Sequence, residues 1–325
     1  MQNAKLDFMG LLAFDLGGTK LATVFFNSEG QILFKEIAEV RKSKGGDVGA
    51  LICNNITSLM EVLSLRGDKI ESIGICVPGI YHEKEGTVWA PNIPGWYEYP
   101  LMREIVKVAG EIPVKIDSDR ACCMLGEVWK GNAKNSKDAI FFTVGTGIGA
   151  GILINSQILR GTHDIAGAIG WMALQTPFLE QYSDCGFLEE FASGEGIAKL
   201  ARKYISGKKN YSGKLKDISF EEITSRDVFS AYESGDKIAE KVINKCIELW
   251  GMATANLVSL FNPEKIIFGG GIFGPAIPLI PKIKEEASKW AQPISIKQVS
   301  FEPSGLGTDA GVFGAGFLAL KNLKQ

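Results

Sequence analysis

The chain has 325 residues, 46% hydrophobic and 22% charged, with a formal net charge of −2. That length predicts two domains with ordinary cores. A pI of about 5.9 without a basic stripe argues against a nucleic-acid partner. Only two histidines occur, His82 and His163, which excludes a His-rich metal site, and no cysteine pair has C-x-x-C spacing. Residues 1–7 carry no signal-peptide core and no apolar run approaches bilayer-spanning length, so a soluble cytoplasmic protein without a membrane partner is expected.

Strands are expected at 11–16, 21–26 and 31–38. A helix follows with apolar positions Leu51, Ile52, Ile56, Leu59, Val62 and Leu63. A buried strand at 72–77 ends at Pro78-Gly79. A helix at 101–108, a strand at 114–116 and a helix from about Arg120 to Trp129 come next. Strands at 141–144 and 152–154 flank a second glycine turn. Residues 160–187 read as loops, and the Lys-, Gly- and Ser-rich stretch 206–219 reads as a mobile surface excursion. A long helix runs from about 236 to 260 and stops at Asn262-Pro263. A strand at 265–268 meets Gly269, Gly270 and Gly271. A last helix from about Asp309 to Leu320 carries small residues suited to close packing on a sheet. Strands alternating with helices define an α/β chain.

Two strand–glycine turn–strand units stand out. In the first, Phe14-Asp15-Leu16 leads into Gly17-Gly18-Thr19-Lys20; in the second, Thr143-Val144 leads into Gly145-Thr146-Gly147. Backbone amides in such turns can approach a phosphate, and Asp15 at a strand end can hold magnesium through water. An ordinary hairpin explains either turn alone; the pair, with threonine in both, points to nucleotide phosphates. Asp119 opens a helix after a strand and is the candidate base for an acceptor hydroxyl. An N-cap role would explain it equally, and Asp117 competes for both roles. Gly269–Gly271 could lie under an adenine or simply make a tight crossover. In Pro91-Asn92-Ile93-Pro94-Gly95-Trp96, Asn92 could bond a sugar diol and Trp96 could stack on it, or Trp96 could be buried.

Asp15–Lys20, Val77-Pro78-Gly79, Ala90–Trp96, Asp117-Ser118-Asp119, Gly145–Gly151 and Ala192-Ser193-Gly194 occur in an order that resembles ROK sugar kinases, within the actin-like/hexokinase ATPase superfamily. The resemblance runs from about residue 10 to 320. It implies two actin-like (ribonuclease H-like) α/β domains around a central cleft, at 1–118 plus 308–325 and at 119–307. It makes Asp119 the base on the sugar hydroxyl. ATP and Mg2+ would be held at Asp15, Gly17, Gly18, Thr19, Lys20, Gly145, Thr146 and Gly147, with Gly269, Gly270 and Gly271 at the adenosine. Gly79, Asn92 and Glu189 fall at the sugar, and a homodimer is common in the family. Apolar residues exposed on the 236–260 helix would be one way to make it.

The chain also departs from the family. Ala168 and Trp171 stand where a sugar-binding glutamate and a sugar- and zinc-binding histidine are usual. Only Cys185 remains of the zinc cysteines, with Phe187 in place of the last. No zinc is therefore expected, and packing by Phe178, Tyr182 and Phe187 should hold that loop. Losing two charged hydrogen bonds of roughly 1.5–3 kcal/mol each weakens a glucose-like ligand, while Trp171 could stack on a sugar ring or close the pocket. The implied activity is ATP-dependent phosphorylation of a hexose, an N-acetylhexosamine or a related polyol. The alternative is a catalytically weak sugar or nucleotide sensor acting through a protein partner.

Overall fold

Two continuous apolar runs, Leu11–Phe14 and Ala139–Phe142, lie in the middle strands of two sheets built to one plan. The computed structural model describes residues 9–40, 45–208 and 210–323. In chain order the elements are strands β1 (Met9–Leu16), β2 (Lys20–Asn27) and β3 (Ile32–Glu39), helix α1 (Gly45–Arg66), and strands β4 (Lys69–Val77), β5 (Ile80–His82) and β6 (Thr87–Trp89). Helix α2 (Leu101–Ala109), strand β7 (Val114–Ser118) and helix α3 (Asp119–Lys130) follow. Then come β8 (Ala139–Val144), β9 (Ile148–Ile154), β10 (Gln157–Ile158), α4 (Phe187–Ala192), α5 (Gly194–Ser206), α6 (Ser225–Glu233) and α7 (Lys237–Phe261). The chain continues through β11 (Lys265–Gly269), α8 (Ile280–Ser288), α9 (Ser295–Gln298), β12 (Ser300–Pro303) and α10 (Ala310–Asn322).

The first sheet has the order β3-β2-β1-β4-β7 and the second β10-β9-β8-β11-β12. In each, the middle strand pairs antiparallel with the next strand in sequence and parallel with a later one. By contacts the chain forms two units. One holds the described residues up to Asn135, Ile158–Ala166 and those from Asp309 on; the other holds Ser136–Gln157 and Gly167–Thr308. Helix α3, which lies beyond the expected break at 118, goes with the first unit. Its Cys122 and Leu125 share a core with Leu11 and Ala13 of β1 and Val312 and Ala315 of α10.

The small residues of α10 do what their size predicts. A Cβ on Gly314 would overlap the Cys122 carbonyl of α3, and one on Gly74 of β4 would overlap the Ala315 carbonyl. Helix α10 therefore lies backbone-close to both strand and helix.

Two expectations are corrected. Helix α1 is long and apolar enough, by composition, to cross a membrane; its Val48, Ile52, Ile56, Leu59 and Leu63 pack into the first unit's core. Apart from Lys209, which lies outside the described residues, the 206–219 stretch is anchored rather than loose. Leu215 is 1% exposed in the second unit's core, and Asp236 accepts hydrogen bonds from the Lys214 amide (2.9 Å) and the Tyr211 hydroxyl. On helix α7, Val242, Cys246, Trp250 and Leu257 lie in the second unit's core, while Leu260 is exposed.

Candidate active site

Alternation along β1 aims Asp15 at the α3/α10 side of the first sheet, since Leu11 and Ala13 lie in that layer. Asp15 pairs in register with Cys76, and Cys76 with Asp117, so three strands deliver these side chains at one level. Gly311 at the start of α10 backs onto the Asp15 carboxylate, where a Cβ would overlap Oδ2. Burial pushes the Asp15 pKa up to about 6; a hydrogen bond with Cys76 opposes this, and the Asp119 and Asp309 charges add to it. Asp15 and Asp119 thus lie in one electrostatic neighbourhood.

The turn after β1 is closed by the Gly17 amide donating to the Lys20 carbonyl at 2.8 Å, and Gly17, Gly18, Thr19 and Lys20 are all exposed. A Cβ on Gly18 would come within 3.4 Å of Asn92 Nδ2, so the Asn92 amide stands beside this turn. Trp96 takes the buried alternative. It is 0% exposed, stacks on Tyr99 at 4.6 Å between centroids, and donates from Nε1 to the Gly45 carbonyl at 2.8 Å. No face of its ring is left for a sugar.

The structure separates Asp117 from Asp119. Asp117 is 2% exposed and both its oxygens accept from Arg160, Oδ1 from Nη1 and Oδ2 from Nη2, each at 2.5 Å. The N-cap of α3 is Ser118, whose hydroxyl accepts from the Ala121 amide at 3.4 Å. Asp119 has neither task. Its Oδ1 accepts only from the adjacent Arg120 amide at 2.8 Å, and no cationic side chain pairs with it among the described residues. Burial raises its pKa, partly opposed by the Arg120 guanidinium and amide. Arg120 Nη2 in turn donates to the Gly79 carbonyl at 3.3 Å, bringing the Gly79 turn to the start of α3. Gly79 has φ +81 and a Cβ there would overlap the Trp89 carbonyl.

In the second unit the turn 145–147 is closed by the Gly145 amide donating to Gly147 at 2.9 Å, and the Gly194 amide donates to the Gly145 carbonyl at 2.8 Å. Thr146 is exposed. Glu189, from α4, accepts from the Ile148 amide at 2.6 Å and lies beside Gly147 and Gly170; burial raises its pKa and that amide opposes the rise. Trp171 is 56% exposed, one residue beyond Gly170. The run after β11 reaches the same turn: Gly270, with φ +86, lies against Thr143 and the Val144 carbonyl. Packing accounts for Gly269, where a Cβ would overlap the Phe141 ring, whereas Gly271 faces open space. The loop that lacks zinc cysteines is held by rings. Tyr182 meets Phe178 (6.0 Å), Phe187 (5.1 Å) and Phe191 (5.9 Å). Among the described residues no group of three or more His, Cys, Asp or Glu could hold a metal ion.

Arg160 and Arg120 escaped the sequence reading. A buried acid at Asp117 signals that a cation must meet it, yet nothing in the spacing says that the partner lies 43 residues away.

The fold is that of two actin-like domains, as in ROK hexokinases. The ROK family's sequence profile matches residues 11–322, and the chain belongs to that family. A glucokinase of Halalkalibacterium halodurans is 34% identical over 314 residues, 94% of this chain and 93% of that protein. A xylose repressor of Caldicellulosiruptor bescii is 30% identical over 318 residues, 95% of this chain and 77% of the repressor. The crystal structure of a ROK family glucokinase from Streptomyces griseus, in complex with glucose and AMPPNP, superposes with a TM-score of 0.79 at 27% identity. That match covers 96% of this chain and 99% of the other.

Proposed function

We propose that this chain transfers the terminal phosphoryl group of ATP to a hydroxyl of a sugar, a hexose, N-acetylhexosamine or related polyol. The observation that carries the reading is the uncommitted carboxylate of Asp119 at the start of α3, beside an Asp117 already engaged by Arg160. Asp119 takes the proton of the acceptor hydroxyl as its oxygen attacks the phosphorus, and a raised pKa brings the base nearer to working pH. Asn92 and Gly79, brought near the first turn and α3, and Glu189 with Trp171 in the second unit, orient the acceptor. The turns at 17–20 and 145–147, with Gly269–Gly271, hold the nucleotide. Asp15 suits a hydrated magnesium ion, because no cationic side chain pairs with it among the described residues and its charge is held back by burial. When bound with the nucleotide, that ion would neutralise charge developing on the phosphates.

The relatedness to a xylose repressor favours a second reading, a sugar sensor. ADP release from magnesium–ATP across hexoses, N-acetylhexosamines, ketoses and polyols, with Asp119→Asn as control, decides between them. Turnover with one acceptor that falls by about 10²- to 10⁴-fold in the variant supports the kinase. No turnover with any acceptor, with sugar binding that survives the change, supports the sensor.

A further inference from the structure

We infer that Arg160 is a positioning residue for the base: by engaging both oxygens of Asp117 it fixes the β7–α3 junction on which Asp119 stands. This rests on the kinase reading above.

The contact is of the kind that fixes orientation. A guanidinium meeting a carboxylate through two parallel hydrogen bonds sets the plane as well as the distance. Here both are 2.5 Å and the carboxylate is almost fully buried. From Asp117 the constraint passes directly to the helix start. Its Oδ1 also accepts from the Ser118 amide at 2.8 Å, Ser118 caps α3, and the Cys122 thiol reaches the Asp117 carbonyl at 3.8 Å. Asp119 is the first residue of that helix.

Arg160 is itself held. Its carbonyl accepts from the Ala166 amide at 3.0 Å, closing a loop over 160–166. Asp164 of that loop accepts from the Glu83 amide at 3.4 Å, and Glu83 pairs with Lys115 of β7. The loop is therefore fastened to the first unit at a second point, and the guanidinium is aimed rather than free to wander. The residues 158–166 interrupt the sequence of the second unit, yet they belong to the first. A detour that ends in a buried ion pair beside the base has a purpose that loop closure alone does not supply.

Without Arg160, Asp117 would be a buried charge with no cation, and it would take up a proton or turn away. Either response loosens the junction, and a displacement of about 1 Å at reacting groups can cost on the order of 100-fold in rate.

The test compares wild type with Arg160→Met, Arg160→Lys, Asp117→Asn and the double variant Arg160→Met/Asp117→Asn. ADP release is measured with magnesium–ATP and the best acceptor from pH 5 to 9. We expect kcat of Arg160→Met to fall about 10- to 100-fold, with the KM for ATP unchanged within experimental error. The acidic limb of its pH profile should move to higher pH. Arg160→Lys, which restores charge without the fork, should recover only part of the rate. The double variant should be no slower than the slower single, because both act through one contact. An Arg160→Met enzyme with wild-type kcat and pH profile overturns the inference. So does a rate loss matched by an equal loss of folded protein with the acidic limb unmoved. If wild type turns over no acceptor, the kinase reading fails separately. Amide hydrogen exchange then reads the junction: faster exchange at Ser118–Ala121 in Arg160→Met supports the fixing role, and unchanged exchange there overturns it.

Discussion

Replacing Asp15 by Asn should make the empty protein more stable at neutral pH while removing its capacity to hold magnesium. The folded pKa of Asp15 is about 6 against an ordinary 3.8, a rise caused first by burial. A raised carboxylate pKa means that the folded state favours the protonated acid. The stability from that preference is complete below the unfolded pKa and is lost as pH rises through the folded one. A rise of that size corresponds to about 3 kcal/mol, and the residue's partial access to solvent reduces this to roughly 1.5–2.5 kcal/mol. Asn is similar in shape, carries no charge and can still accept the Cys76 hydrogen bond. Urea unfolding of both proteins, free of nucleotide and metal, should give the variant that advantage at pH 8. The advantage should shrink to nothing near pH 4. Magnesium–ATP should narrow the difference at pH 8 by stabilising wild type alone. An advantage of equal size at pH 4 and pH 8, or a loss at pH 8, would refute the reasoning, since packing rather than ionisation would then be responsible.

Two further substitutions probe other contacts. Arg120→Ala removes the guanidinium that holds down the proton affinity of Asp119. On the kinase reading proposed above, Asp119 should stay protonated to higher pH, so the acidic limb of the kcat/KM profile should move upward, and an unmoved limb would show that Arg120 does not act on Asp119. Leu215→Ala should cost about 2–5 kcal/mol in urea unfolding, as for a buried leucine; a cost near zero would restore the loose segment that composition suggested.

Local pattern made much of the fold legible. The two glycine hairpins, the periodic helix α7 and the small-residue helix α10 stand where the sequence predicts them, because each depends on neighbours in the chain. What escaped depends on distant partners. The Lys-, Gly- and Ser-rich stretch around 206–219 has the composition of a loop, and only the core around Leu215 and the Asp236 carboxylate reveal that it is pinned. The choice between Asp117 and Asp119 could not be made from a strand–helix junction alone. The two acids are told apart by a guanidinium from a loop without periodicity, which engages Asp117, and by Ser118, which takes the cap. Trp96 was equally open, since its burial and its stacking on the half-buried Tyr99 depend on a fold that the local sequence does not show.

Helix α10 has a consequence for biosynthesis. It covers the sheet face formed by Leu11, Ala13, Val24 and Phe26, and its Gly311 stands behind Asp15. Those strands leave the ribosome early, and the whole second unit is made before α10 follows. A nascent chain halted near residue 308 could complete the second unit while exposing an apolar sheet to chaperones and proteases. Its Asp15, beside the 17–20 turn, would have no helix behind it. Translation thus finishes the first unit last, and an interrupted product would be marked for removal by its own bare strands.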